Sequence, residues 1–416
     1  VAAAALKNWS NMLDVDLALF ESISGLTGSG ATVLSPIEGN THGLLFYRQM
    51  TQWVGGMGVV VLAVAVLPFL GVGGLELFRT ESAGPTSDQL VPRVSQTAKR
   101  LWTIYLGLTV VSTIGFLIAG TTLYDAVSHA ATGVGTGGFS PYNDSISHFD
   151  SAGVEAAARL SMFLGATKFP LFYAAWRHRD LAVFWRTSEF RFFVAVIVGS
   201  TAFLTVLNSW DERSVVTALR ESAFNVISLV STCGFGTSDF TTWLPATQLV
   251  LLFLMVTGSM AGSTSAAIKL FRVQIMTKFA WREVRRVRRP EGVFPIRLDD
   301  EAIPEDTVRS TVGYVLLYVV VTAIGILAVC MFGADLATSA GSVVTSIGGV
   351  GPGLGEAGPA SNFLVFDGAQ RAILMFLMLL GRLEIFPLIL FLVPATRRAR
   401  RSQRRLRRRH THALDG

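Results

Sequence analysis

The 416-residue chain is 51% hydrophobic and only 15% charged, with 35 Lys and Arg against 29 Asp and Glu. Soluble domains carry about 25% charged residues, so a mean hydropathy of +0.49 argues against a large soluble α-protein. Two cysteines, Cys233 and Cys330, offer neither a disulfide framework nor metal-ligand spacing. No HExxH, GxSxG, P-loop or dinucleotide fingerprint occurs. His129 and His148 are isolated and read as interfacial. The chain is therefore expected not to be an enzyme and to bind no organic cofactor.

Apolar runs at 104–120, 192–207, 249–256 with its continuation, 312–332 and 363–394 approach the ~20 residues that a bilayer crossing needs. Several are interrupted by Gly, Ser or a lone charge, which is tolerated where backbone packs on protein or lines an aqueous cavity. In chain order, a short apolar helix is predicted at 17–26, then the turn Ser24-Gly-Leu-Thr-Gly-Ser-Gly-Ala31, then an inner helix at 44–70. The second unit reads as an outer helix at 98–120, a pore helix at 123–131, a turn at 134–138, and an inner helix at 152–176. Its turn lies within Thr132-Gly-Val-Gly-Thr-Gly-Gly-Phe139. The third unit runs 190–208, 215–230, Val230-Ser-Thr-Cys-Gly-Phe-Gly236 and 243–273. The fourth runs 307–331, 334–345, Ser346-Ile-Gly-Gly-Val-Gly-Pro-Gly353 and 363–392.

One such turn would carry no meaning, because turns are rich in these residues. Four of them, each between apolar segments, match what an ion filter needs: a ring of backbone carbonyls that one chain supplies by repetition. Gly30, Gly137, Gly234 and Gly351 are the expected tips, since glycine adopts positive φ cheaply and lets backbones crowd. A pore helix ending at each turn aims the negative pole of its dipole at the ion path. The fold class is an all-α polytopic membrane protein with four pseudo-symmetric outer helix–pore helix–filter–inner helix repeats around one pore. The repeats are placed at 1–97, 98–189, 190–305 and 306–396, with a basic tail at 397–416. No outer helix precedes the first repeat and the chain opens Val1-Ala-Ala-Ala-Ala without methionine, so a further N-terminal portion is expected.

Lys and Arg set orientation. Segments 17–47, 121–150 and 333–370 contain none, whereas the links between units carry Arg177, Arg179, Arg186 and Arg191, then Arg272, Lys278, Arg282, Arg285, Arg286, Arg288 and Arg289. The filter-like turns thus fall on the charge-poor side, with Arg213 and Arg220 near the third. The links and the C-terminus fall on the cytoplasmic side. These arginines are read as topology signals and contacts for anionic lipid headgroups, with docking of an acidic cytoplasmic subunit as a second reading and no role in binding nucleic acid.

The segment Phe46-Tyr-Arg-Gln-Met-Thr-Gln-Trp-Val-Gly-Gly-Met-Gly-Val59, followed by Ala63-Val-Ala-Val-Leu-Pro68, resembles the first inner helix of the Trk-type potassium uptake proteins. Phe20-Glu-Ser-Ile-Ser-Gly-Leu-Thr27 with Gly30-Ala-Thr32 is similar to their first filter. The Ser-Thr-Cys-Gly-Phe run ending at Phe235 and Gly351-Pro-Gly-Leu-Gly355 resemble the third and fourth. Gly262-Ser-Thr264 with Ile268, Lys269 and Arg272 resembles their intramembrane loop, and Leu380-Gly-Arg-Leu-Glu384 the charged break in the last inner helix. The resemblance spans about 17–394 and implies the Trk/Ktr/HKT superfamily. It implies potassium as the transported ion, a homodimer with one pore per protomer, and a cytoplasmic nucleotide-binding regulatory subunit of the TrkA type. It also implies a multi-pass place in the inner (plasma) membrane. The chain departs from the family pattern at Thr27-Gly-Ser-Gly30, at Gly133 and Gly135, at Gly348-Gly349 and at Ser265-Ala-Ala267.

Arg382 lies far from either end of an apolar run, where a charge costs ~2.5–3.5 kcal/mol on insertion scales. Facing the pore below the filter, it would oppose cation leak; the competing reading is a structural pair with Glu384 or another buried acid. The loop from Thr257 to Ser265, with Gly258, Gly262, Ser263 and Thr264, is expected to gate conduction beneath the filter rather than merely kink a helix. Lys269 is expected to hold that loop by pairing with an acid, and Lys168 reads as structural. The expected function is K⁺ uptake through carbonyls around the four tips, Gly349 included, assisted by the hydroxyls of Thr27, Thr136 and Thr232. A Na⁺-permeable or ion-coupled symporter of the same fold and a non-transporting membrane scaffold are the alternatives. Glycine at every tip favours K⁺, since serine at the first tip is the family's hint of Na⁺ passage.

Overall fold

The computed structural model describes residues 14–70, 90–210, 213–299 and 301–385, and the side chains of 14–58, 97–210, 213–299 and 301–385. The basic tail, the 386–392 end of the last inner helix and the side chains of the 63–68 motif lie outside the described residues.

Fourteen helices follow in order among the described residues. They are α1 (Val15–Thr27), α2 (His42–Leu70), α3 (Leu90–Ile118), α4 (Leu123–Val134), α5 (Ala152–Ala166), α6 (Phe169–His178) and α7 (Ala182–Arg186). After them come α8 (Ser188–Ser209), α9 (Val215–Val230), α10 (Pro245–Thr257), α11 (Leu270–Arg288), α12 (Glu305–Met331), α13 (Leu336–Gly348) and α14 (Gly368–Arg382). A two-residue hairpin, β1 (Arg297–Leu298) with β2 (Glu301–Ala302), joins α11 to α12.

Among the described residues, three helices are long and apolar enough to cross a membrane: 97–118 within α3, α8 and α12. Their outer faces leave Val111, Ile114, Phe203, Val206, Ile324 and Leu327 exposed, the pattern of helices solvated by lipid rather than water. The short helices α1, α4, α9 and α13 are instead sunk in the interior, and each starts at a small polar or acidic residue. Ser214 and Asp335 accept hydrogen bonds from backbone N–H groups of the first turn, as does Thr122, satisfying donors that a helix start leaves orphaned.

Each short helix packs on the inner helix of its own unit and on that of the unit before. Thus α1 lies against α2 and α14, α4 against α2 and α5, α9 against α5 and α10, and α13 against α10 and α14. The contact of α1 with α14 closes the circle, so first and last units are neighbours. Close approach is made by glycine. A Cβ on Gly55, Gly165 or Gly381 would collide with the carbonyl of Leu26, Val134 or Ile347 at the end of the facing short helix.

Two predicted inner helices are broken. The expected 152–176 helix stops at Ala166 and restarts at Phe169, because a prolyl ring at Pro170 clashes with the carbonyl four residues earlier, that of Ala166. The expected 243–273 helix is interrupted over 258–269, where Gly258, Gly262, Ala267 and Lys269 all take positive φ. The expected 363–392 helix begins only at Gly368, capped by Asp367 and Gln370 in a reciprocal capping box.

Filling the Gly165 contact tests this packing. Gly165→Val should lower the thermal unfolding midpoint of the detergent-solubilised protein, with overpacking costing on the order of 1–3 kcal/mol. An unchanged midpoint would contradict it.

Candidate ion filter and the loop beneath it

The four short helices end in one hydrogen-bonding scheme. The first residue after each turn's start bonds back three residues: Gly28 to Gly25, Thr136 to Gly133, Thr232 to Leu229 and Gly349 to Ser346. The next bonds back five: Ser29 to Ser24, Gly137 to Thr132, Cys233 to Ser228 and Val350 to Thr345. Positive φ then recurs in step, at Gly28 and Gly30, Thr136 and Gly138, Thr232 and Gly234, Gly349 and Gly351. By this register the tip of the second turn is Gly138, one residue beyond the expected Gly137. The extra glycines in Thr132-Gly-Val-Gly-Thr-Gly-Gly hid the offset, because composition alone does not say which glycine carries the left-handed φ.

The turns meet as a ring. The carbonyl oxygen of Gly137 lies against Gly30, that of Cys233 against Gly138, that of Val350 against Gly234 and that of Ser29 against Gly351, so that a Cβ on any tip would come within 3.0 Å of the neighbouring oxygen. Four loops are thus closed head to tail through one carbonyl each. Above them opens a cavity of about 480 Å³ reached by all four turns, lined at its floor by Gly30, Gly138, Gly234 and Gly351.

Below the ring lies the 258–269 loop, tied to three of the turns. Thr264, fully buried, donates to the carbonyls of Val134 (2.9 Å) and Gly165 (3.0 Å) and accepts from the Thr136 hydroxyl at 3.2 Å. Ala266 N–H donates to the Thr232 hydroxyl at 3.1 Å, and the Ala266 methyl faces Gly349. The hydroxyls of Thr136 and Thr232 are therefore engaged by the loop, while that of Thr27 turns back onto the Ile23 carbonyl (2.7 Å). The fourth side is held by Arg382, whose guanidinium sits under Gly28. It donates to the Thr264 carbonyl at 2.8 Å and to the Gly55 carbonyl at 2.9 Å.

No carboxylate pairs with Arg382 among the described residues; Glu384 instead takes Arg272 at 2.9 Å. Lys269 also differs from expectation. Its ammonium reaches no acid within salt-bridge distance among the described residues but donates to the carbonyl and hydroxyl of Ser265, and Ser263 joins that hydroxyl cluster with Ser259. The acid that holds the loop is Glu189, which accepts from Ala261 N–H at 2.7 Å. Gly262 accepts from Phe169 N–H at 3.1 Å, so the α5–α6 break and the loop support each other beside Lys168.

The family described as TrkH, cation transport protein, matches residues 2–398. The chain belongs to the TrkH family. It is 38% identical over 387 residues to the Trk system potassium uptake protein TrkH of Salmonella typhimurium, covering 92% of this chain and 79% of that protein. Two proteins of Halomonas elongata are also similar: TrkH, 37% identical over 381 residues (91% and 78% covered), and TrkI, 33% identical over 384 (92% and 78%). The crystal structure of the potassium transporter TrkH from Vibrio parahaemolyticus superposes with a TM-score of 0.84 at 34% identity, covering 92% of this chain and 79% of that one. The chain is thus a predominantly helical membrane protein of a cation-transport family.

Within this TrkH-family chain, several supports of the turns were missed from sequence. Glu21 on α1 is buried, accepts from the Arg48 guanidinium on α2, and accepts from Val33 N–H at 2.9 Å and the Thr32 hydroxyl at 3.0 Å. Arg48 passes on to the Ser140 carbonyl at 3.0 Å and stacks 3.6 Å over the Phe139 ring. His129 is not interfacial but fully buried, bridging the Asp125 carbonyl and the Ser140 hydroxyl. Arg48 and Gln52 in an apolar helix were the available signal, since buried polar groups need partners.

Arg48→Met should leave the Glu21 carboxylate buried and uncompensated, at a cost of about 3–5 kcal/mol, seen as a large fall in thermal midpoint. The double variant Glu21→Leu, Arg48→Met should recover part of it. Equal midpoints for wild type and Arg48→Met would contradict the pairing.

Proposed function

We propose that this chain takes up K⁺ across the cell membrane through a channel-like path that runs through the four-turn ring. The observation that carries the reading is the head-to-tail closure of Ser29, Gly137, Cys233 and Val350 carbonyls around Gly30, Gly138, Gly234 and Gly351. A K⁺ ion shedding water there exchanges hydration for backbone oxygens, helped by the negative ends of α1, α4, α9 and α13. The family relatives whose names give potassium uptake support the choice of ion.

The 258–269 loop is the gate in this reading and Arg382 its latch. With the loop beneath the ring, a permanent positive charge faces the cation path, and two carbonyls hold it there. Opening requires Thr264 to leave Val134 and Gly165 and Arg382 to leave Thr264. The resemblance to Trk-type proteins supports assembly as a homodimer, regulation by a cytoplasmic nucleotide-binding subunit and a cytoplasmic C-terminus. The repeat division, with the second filter moved by one residue, remains 1–97, 98–189, 190–305 and 306–396.

In cells lacking their own K⁺ uptake, expression of the chain should restore ⁸⁶Rb⁺ entry that excess Na⁺ does not suppress. Gly30→Ser should erode that resistance, since its side chain would meet the Gly137 carbonyl; unchanged selectivity would refute the filter assignment. Arg382→Ala should raise ⁸⁶Rb⁺ flux by about tenfold or more, one charge-assisted hydrogen bond being worth ~1.5–3 kcal/mol. Unaltered flux in a well-folded variant would reduce Arg382 to a packing role.

A further inference from the structure

The four inner helices support the ring in the same way but not with the same chemistry. Gly55, Gly165 and Gly381 occupy equivalent places beneath the carbonyls of Leu26, Val134 and Ile347, and the residues three before them are Gln52, Met162 and Met378. In the third unit the equivalent is Met255, whose backbone carbonyl faces Gly348 as that of Gln52 faces Gly135. All four side chains are buried. Each inner helix supports the turn of the following unit: Met162 clusters with Cys233, Met255 with Val350, and Met378 with Ala31. Gln52 alone does so through hydrogen bonds.

Its amide straddles the tip of the second turn. Nε2 donates to the Gly137 carbonyl at 2.6 Å, and Oε1 accepts from Phe139 N–H at 2.9 Å. Gly137 therefore supplies a ring oxygen of which one lone pair is already bonded. Among the described residues no donor reaches the equivalent oxygens of Ser29, Cys233 or Val350.

We propose that Gln52 is a positioning residue for ion selectivity: its amide pins the Gly137 carbonyl and the Phe139 N–H, fixing one quarter of the ring through a polar inner-helix side chain where the other three inner helices place methionine. The proposal rests on the filter reading above. A pinned carbonyl cannot close inward around a smaller ion without breaking its bond to Nε2. The second turn holds four glycines, Gly133, Gly135, Gly137 and Gly138, and backbone this permissive needs such a restraint. Removing the amide leaves a ring that collapses more readily around Na⁺.

The test uses Gln52→Met, which gives the first inner helix the residue found at the other three places, and Gln52→Glu, which keeps an acceptor for Phe139 N–H but removes the donor to Gly137. Both are measured as the full chain for ⁸⁶Rb⁺ uptake against increasing Na⁺, with the apparent Rb⁺ affinity and maximal rate separated. Na⁺ should inhibit the variants about 2- to 12-fold more effectively than wild type, the range spanned by one hydrogen bond's net contribution. A purely structural role would lower surface amount and maximal rate while leaving the Na⁺ inhibition constant unchanged, and that result in either folded variant overturns the proposal. Failure of the wild type itself to show Na⁺-resistant uptake would instead remove the filter reading.

Discussion

The described structure is arranged around four backbone carbonyls that each touch the glycine of the neighbouring, preceding loop. That contact leaves no space for a side chain at Gly30, Gly138, Gly234 or Gly351, and it makes each loop's shape depend on its neighbour's. The short helices supply the geometry by ending alike, and the inner helices supply the distance by approaching on glycine at Gly55, Gly165 and Gly381. Long apolar helices then enclose the assembly and face lipid. Backbone this irregular is tolerable at membrane depth only because protein surrounds it.

Beneath the ring the fourfold pattern is abandoned. Among the described residues the third inner helix unwinds into a twelve-residue loop, the fourth carries Arg382 and the first carries Gln52, so the ring is near-symmetric while its supports are not. This division has a physical logic. In the proposed function, ion coordination favours equal ligands from every side, whereas a gate needs one element that moves and fixed ones for it to move against. The loop's residues Ala267 and Lys269 take left-handed φ without being glycine, a costly conformation that surrounding contacts must sustain. Its restraints are correspondingly many, from Glu189, Phe169, Thr136, Thr232 and Arg382.

Much of this was legible in the sequence. Spanning segments follow from apolar length, and the third short helix matches its predicted limits because Ser214 caps one end and a small-residue turn stops the other. Arg382 and the 258–269 loop stand out because a charge and a polar run within apolar helices demand an explanation. Other features were not legible. Choosing Gly138 over Gly137 needs the hydrogen-bond register, and the α5–α6 break needs the consequence of Pro170 for Ala166. The pairing of Glu21 with Arg48, and of Gln52 with Gly137, joins segments 27 and 85 residues apart, a distance over which periodicity carries no information. Lys269 was expected to find an acid and instead satisfies its ammonium on serine oxygens, because the nearby carboxylate of Glu384 is taken by Arg272.

In the proposed function the Ser29, Gly137, Cys233 and Val350 carbonyls form the ion-binding ring. Anomalous diffraction from crystals of the full chain grown in Rb⁺ or Tl⁺ tests it most directly. A peak is expected on the axis between those four oxygens, above Arg382 and the Thr264 loop. No peak there, with ordered Rb⁺ or Tl⁺ found elsewhere along the path, would contradict it.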